Sequence, residues 1–176
     1  RGKLGPGERV LINGAAGGVG TAAIQLATAF GAEVTAVCRA ANAAMVRALG
    51  AVHVIDHTQT DFCRNGQTYD LIVDLVGNAP YARCRHSLAP EGRLLLVVAS
   101  LAQMLSAPWV GLTSRRRIVA GPVVERAEDL QVLAELAAAG RFLPVIDRRY
   151  PFAQMADAHR YVDTGHKRGN VVIDVP

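Results

Sequence analysis

The feature that most constrains this chain is a glycine-rich turn set between two patterned segments. The apolar run Arg9-Val10-Leu11-Ile12-Asn13 leads without a break into Gly14-Ala15-Ala16-Gly17-Gly18-Val19-Gly20. From there Val19, Ala23, Leu26 and Phe30 recur at helical spacing, and Gly31 follows in the position that favours a left-handed cap. Strand, glycine turn and helix in that order have a physical purpose. The first turn of a helix carries backbone N–H groups without intrahelical partners and a partial positive charge from the helix dipole. Glycines beside it let an anion reach that backbone, which side chains would obstruct. Gly17 stands where backbone has to approach a pyrophosphate, and Gly20 where the helix has to pack closely on the strand. A glycine-rich turn with no ligand is the competing reading.

Strand-like and helix-like segments alternate along the rest of the chain. Glu33–Cys38, Val52–Ile55, Asp70–Val76, Arg93–Ala99 and Ile118–Val124 read as further strands, with Val171–Val175 the last. Ala43–Leu49 (Asn42 as its N-cap), Ala79–Leu88, Leu130–Ala139 and Phe152–Val162 read as helices. Near-continuous apolar strands are buried on both faces, the mark of a parallel sheet flanked by helices. The expected fold is therefore α/β: a doubly wound, parallel, six-stranded sheet with helices on both faces, a Rossmann fold, in one domain over residues 1–176. Composition agrees, with 51% hydrophobic residues, 19% charged and only 5% aromatic. Ala, Val, Leu and Gly suit helices packed closely on a buried sheet.

The loop discriminates among nucleotide ligands. Against the dinucleotide pattern GxGxxG, Ala15 replaces the first glycine, which marks a subclass. A triphosphate-binding P-loop would close on Gly-Lys-Ser/Thr, whereas Gly20 is followed by Thr21. S-adenosylmethionine methyltransferases and NAD binders both use an acidic residue at the end of the second strand to hold ribose hydroxyls. Here that strand ends Val37-Cys38-Arg39, with Asn42 soon after, and Glu33 sits at its beginning. A carboxylate would repel a ribose 2′-phosphate, while a guanidinium grips it bidentately. The reading is NADP(H), with Arg39 as a mere loop charge the alternative.

The chain resembles the cofactor domain of the quinone oxidoreductase-like branch of the medium-chain dehydrogenase/reductase superfamily. Segments that carry the likeness are Gly5–Ile12, Ala15–Gly20, Leu49–Asp56, Tyr69–Gly77 and Gly165–Ile173. The resemblance implies hydride transfer from NADPH to a quinone, enone or other carbonyl-activated small molecule. It also implies that Leu75, Val76 and Gly77 line the nicotinamide ribose, and that Val98, Ala99 and Ser100 wall the nicotinamide ring. His57 stands where the family often has a tyrosine near the adenine ribose, and Asn170 replaces a common lysine, its role left open. Full-length relatives carry an N-terminal barrel-like domain ahead of the residue matching Arg1. The chain thus reads as the C-terminal part of a longer reductase, inactive alone. A non-catalytic NADPH-sensing module and an enoyl-reductase segment of a fatty-acid or polyketide synthase are the alternatives. Relatives pair through the edge strand, which would be residues 118–124 in a homodimer here.

No catalytic acid or base stands out. His53, His57, His86, His159 and His166 lack Cys or Glu partners at ligand spacing, so no metal site is expected. Cys38, Cys63 and Cys84 are odd in number and unpatterned, which reads as reduced thiols in a cytoplasmic protein. The net charge of +4 is most concentrated at Arg115-Arg116-Arg117, with no broad basic face and interleaved aromatics of the kind nucleic-acid binding needs. No apolar run approaches the ~20 residues of a membrane span, and residues 1–9 lack the apolar stretch of a signal peptide.

Overall fold

A computed structural model describes residues 2–121 and 126–176. Its main sheet has six parallel strands in the order β3-β2-β1-β4-β5-β6: β1 Arg9–Asn13, β2 Glu33–Cys38, β3 His53–Asp56, β4 Tyr69–Asp74, β5 Leu88–Leu96 and β6 Arg117–Val119. The chain starts in the middle, winds outward to β3, returns beside β1 and winds outward again to β6. Connections on opposite sides of the β1–β4 pair therefore run apart, leaving a crevice at the carboxyl ends of these strands. The expected α/β fold is present.

Period-two alternation sorts the strand side chains into two cores. Val10, Ile12, Val34, Ala36, Leu71 and Val73 face Ile24 and Ala27 of α1 (Gly18–Ala29) and Val46 of α2 (Ala43–Ala48). Leu11, Val37, Ile72, Leu94 and Leu96 face the other way, onto Phe62, Ala79, Cys84 and Leu88. Cys84 ends α3 (Tyr81–Cys84), a single turn continued by a 3₁₀ turn over Arg85–Ser87. Here the expected helix over 79–88 is shortened. Leu88 already pairs with Tyr69 in the sheet, and regular pairing resumes at Leu71 with Arg93. Gly92 lets residues 89–92 fold tightly, since a Cβ there would lie 2.9 Å from the Ala89 nitrogen and 3.0 Å from the Tyr69 oxygen.

Three further elements differ from the sequence reading. Helix α4, Leu101–Thr113, was not expected because Pro108 and Gly111 interrupt its pattern. A reciprocal cap starts it: the Gln103 amide donates to Ser100 Oγ, and the Ser100 amide donates to Gln103 Oε1. The sixth strand covers Arg117–Val119 rather than Ile118–Val124; residues 122–124 of the expected edge lie outside the described residues. After α5 (Ala127–Ala138), β7 (Ile146–Pro151) pairs in parallel with β8 (Asn170–Asp174) as a separate two-stranded sheet, with α6 (Met155–Asp163) between them. The charged IDRRYP sequence of β7 lacks an apolar run because the strand, in its two-stranded sheet, buries no side chain fully.

Candidate functional site

Asn13 ends β1, and the chain turns at Gly14, whose φ of +87° lies in the left-handed region. A Cβ at Gly14 would also meet Val76 Cγ2 at 2.8 Å. The Ala15 amide donates to Val37 O (3.1 Å), tying the turn to the end of β2 and burying the Ala15 side chain. Gly17 is the N-cap of α1, with φ of −78° and no side chain to occupy the amides that follow. Its imaginary Cβ touches only Gly14 O, at 3.7 Å, so the space in front of it is open. Gly20 is the opposite case: a Cβ would lie 2.3 Å from Gly14 O and 2.7 Å from the Ala15 carbonyl carbon. The turn is thus closed against the protein and open outward, as an anion cradle requires.

A cleft of about 640 Å³ opens from this cradle. Of the residues read from the sequence, Gly14, Ala16, Gly17, Cys38, Arg39, Asn42, His57 and Val76 line it. Ala15 and Gly20 lie beneath as packing, and Gly18 is covered by Asn170, whose Oδ1 a Cβ would meet at 2.7 Å. Val19 is exposed outside the lining, and Leu75 packs against the first core. Gly77 (φ of +85°) turns beside Val98, which a Cβ would meet at 3.2 Å. Val98 and Ser100 are not in the lining; Ala99 packs on the second core and Ser100 is committed to capping α4.

The structure adds a wall that the sequence reading did not include. His166, Lys167 and Arg168 project along the cleft from the loop between α6 and β8. That loop is fastened to the glycine turn: Gly17 and Gly169 form a parallel bridge, and the Gly169 amide donates to Ala16 O (2.8 Å). Gly169 has φ of +65° and Val145 O would be 2.4 Å from its Cβ, so only glycine fits. Asp147 on β7 braces the loop, accepting from Tyr161 Oη (2.5 Å) and the Arg168 amide (3.0 Å). Burial pushes the Asp147 carboxyl up, but the Tyr161 hydroxyl, the Arg168 amide and the neighbouring guanidinium charges outweigh it and hold the pKa below its ordinary value. Lys167 Nζ donates to Gly169 O at 2.8 Å, which keeps its charge near the cradle. The available sequence signal was three basic residues between two glycines in a chain expected to bind phosphate.

The lining also runs through Thr60 to Phe62 and through Asn78 and Arg83, two stretches apart in sequence. Arg83 joins the two stretches, donating to Asn78 O (2.7 Å) and Asp61 Oδ1 (3.1 Å). The Cys63 amide and the Arg83 guanidinium lower the Asp61 pKa against some burial. Burial, then the Asp56 charge, raises the Cys38 thiol beneath Arg39. Cys63 is raised to about 11 by burial and Asp61, and Cys84 to about 12 by burial and Cys63. No thiol here is an activated nucleophile. Among the described residues no group of three His, Cys, Asp or Glu converges to hold a metal.

The family model for zinc-binding dehydrogenases matches residues 49–173. The chain belongs to that family. Among its relatives, a chloroplastic quinone-oxidoreductase of Triphysaria versicolor is 31% identical over 98% of this chain and 54% of its own length. A mitochondrial NAD(P)H oxidoreductase of Mus musculus is 33% identical over 96% of this chain and 48% of its own. The solved quinone oxidoreductase from Coxiella burnetii superposes with a TM-score of 0.87 at 28% identity, over 99% of this chain and 55% of that one. The likeness to the cofactor domain of the quinone oxidoreductase-like branch therefore holds through the whole chain. The chain spans about half the length of these relatives. No helix among the described residues is long and apolar enough to cross a membrane.

Proposed function

We propose that the chain is the NADP(H)-binding half of an oxidoreductase in which hydride passes from NADPH to a quinone, enone or other carbonyl-activated small molecule. One observation carries the reading: an outward-open glycine cradle sits in one cleft between Arg39 and the 166–168 loop. The residues fit the cofactor. The amides at the start of α1, with Lys167 beside them, would receive the pyrophosphate. Arg39 at the end of β2, with Asn42 next to it, would receive the 2′-phosphate, and no carboxylate on β2's end opposes it. Val76 and Gly77 would lie along the nicotinamide ribose, with Val98, Ala99 and Ser100 beside the ring at the end of β5.

When bound, the nicotinamide supplies the hydride. The chain's own residues bind and orient: β1 and β4 set the depth of the cleft, and the glycine turn sets where the phosphates stop. Val76 lines the cleft, and Val97 and Val98, exposed just beyond the end of β5, would add apolar surface that helps exclude water once the companion wall is in place. The companion domain of a longer reductase would supply that other wall, and residues 1–176 would be its C-terminal part. A cytoplasmic setting and pairing through β6 belong to the same proposal. The first is supported by three free thiols, although relatives named chloroplastic and mitochondrial work in organelles; the second is supported by β6 standing last in the sheet.

Titration with NADPH and with NADH, followed by nicotinamide fluorescence, tests the reading. Tighter binding of NADPH is expected. Equal dissociation constants would overturn the NADP(H) preference, and uptake of neither would overturn the cofactor assignment.

A further inference from the structure

Beneath the cleft lies a chain of polar contacts that the cofactor reading does not use. Asp74, at the end of β4, is fully buried and takes four donors. Its Oδ1 accepts from Asn13 Nδ2 (2.9 Å) and from the amides of Val76 and Gly77 (both 3.1 Å), and its Oδ2 from the Ala79 amide (2.9 Å). A carboxylate only accepts, so the atom that Asn13 turns toward it has to be the nitrogen. That same Nδ2 lies 2.7 Å from the side-chain oxygen of Asn78. A donor has to meet an acceptor, so Asn78 directs its oxygen inward and its NH₂ group away. The backbone of Asn78 is held as well, by Arg83 on its carbonyl. Among the described residues nothing accepts from Asn78 Nδ2, and the residue is exposed and lines the cleft with Asp61, Phe62 and Arg83.

We infer that Asp74 and Asn13 are positioning residues that set the polarity of Asn78, making its amide nitrogen a fixed hydrogen-bond donor to an acceptor atom on the adenosine half of the dinucleotide. This rests on the proposed cofactor reading and adds a residue that neither the glycine motif nor the end of β2 includes. The adenosine half is the assigned occupant because Asn78 lines the same cleft as Arg39, Asn42 and His57, whereas Val98 and Ser100, placed beside the nicotinamide ring, do not line it. The relay supplies orientation at no cost to the ligand: an unrestrained amide would present oxygen as readily as nitrogen, and half of its orientations would repel an acceptor.

The test uses NADPH and 2′,5′-ADP as probes on the wild-type chain and on Asn78→Ala and Asn78→Asp. Asp keeps an oxygen for Asn13 to donate to, whereas Ala takes that acceptor away, so the melting temperature without ligand should fall slightly in Asn78→Ala, with both variants still folding cooperatively. Asn78→Ala should weaken both probes about threefold to tenfold, the worth of one neutral hydrogen bond. Asn78→Asp should weaken them more than Ala does, because the donor is replaced by an acceptor carrying charge. Equal losses for the two variants would mean that bulk rather than polarity matters, and would overturn the inference. So would wild-type affinity in both, or a loss seen with NADPH but absent with 2′,5′-ADP. A wild-type chain that takes up no NADPH refutes the cofactor reading itself; a binding wild type beside equally binding variants refutes this inference alone.

Discussion

Gly17 and Gly20 stand three residues apart in one turn, yet substituting them should have opposite consequences. Gly17 has ordinary extended dihedrals, φ of −78° and ψ of 176°, which any residue adopts, and its only neighbour within 4 Å of an added Cβ is Gly14 O at 3.7 Å. The fold therefore accepts Gly17→Val at the modest cost of a poorer N-cap, about 1 kcal/mol. For a chain of this size that is about 2–4 °C in melting temperature. The valine methyl groups would occupy the space in front of the α1 amides, so NADPH uptake should vanish. Gly20→Ala does the reverse. Its methyl would sit 2.3 Å from one backbone atom and 2.7 Å from two more, none of which can rotate away. Overpacking of this kind costs about 1–3 kcal/mol, and contact with backbone puts it at the upper end. Alanine returns about 1 kcal/mol of helix propensity, leaving a net loss of about 2 kcal/mol, or about 4–8 °C. The assay is thermal unfolding without ligand alongside fluorescence titration with NADPH. A folded Gly17→Val chain with wild-type affinity would refute the cradle, and Gly20→Ala melting at the wild-type temperature would refute the packing argument.

Arg39→Ala should weaken NADPH by about tenfold while leaving NADH nearly unchanged, the low end for a charge-assisted bond because the side chain is exposed. Arg39→Asp should shift preference toward NADH; equal losses for both cofactors in paired titrations would show that selectivity lies elsewhere. Cys84 should make the chain labile to base. Its thiol is fully buried and titrates at about 12 rather than 9.0, so its contribution is complete below pH 9 and is lost between pH 9 and 12, at up to about 1.4 kcal/mol per pH unit. Urea unfolding at pH 8 and pH 10 should show a shallower pH slope in Cys84→Ala, and an unchanged slope would count against it. Finally, the isolated chain should bind NADPH without reducing quinones or enones at an enzyme-like rate, since positioning by the companion wall supplies ~7–11 kcal/mol of a barrier. Steady turnover by homogeneous protein would contradict the two-walled cleft.

What the sequence made legible follows from how local the forces are. Strands β1 and β2 have the expected bounds, because each is a run of five or six apolar-rich residues that starts just after a glycine turn and ends at a polar residue or a glycine. The glycine turn was legible for the same reason: it is contiguous. Helix α4 was hidden by Pro108, although its capping pair Ser100 and Gln103 stood in plain sequence. The walls of the cleft were not legible. Asp61 meets Arg83 across 22 residues, Asn13 meets Asp74 across 61, and the basic loop reaches the turn from the far end of the chain. Such pairings are decided by topology, and no periodicity announces them. Ser100 is the counterpart: resemblance suggested a place beside the ring, and the structure adds a capping role, its hydroxyl accepting from the Gln103 amide.

The bridge between Gly17 and Gly169 also bears on how the protein is made. Synthesis is vectorial, at about 5–20 residues per second, so about 8–30 seconds separate the appearance of the first glycine from that of the second. During that interval the first strands and α1 can pair and bury their apolar faces, but the cradle stands open on the side that Ala16 later gives to the Gly169 amide. Contacts of such long sequence separation form late, after most of the chain entropy has been surrendered. A nascent chain arrested before residue 165 would thus hold a sheet, yet lack Lys167 and Arg168 at the cleft. Cofactor capture would be a closing event of biogenesis, and NADPH in the medium would act on the finished fold rather than guide its assembly.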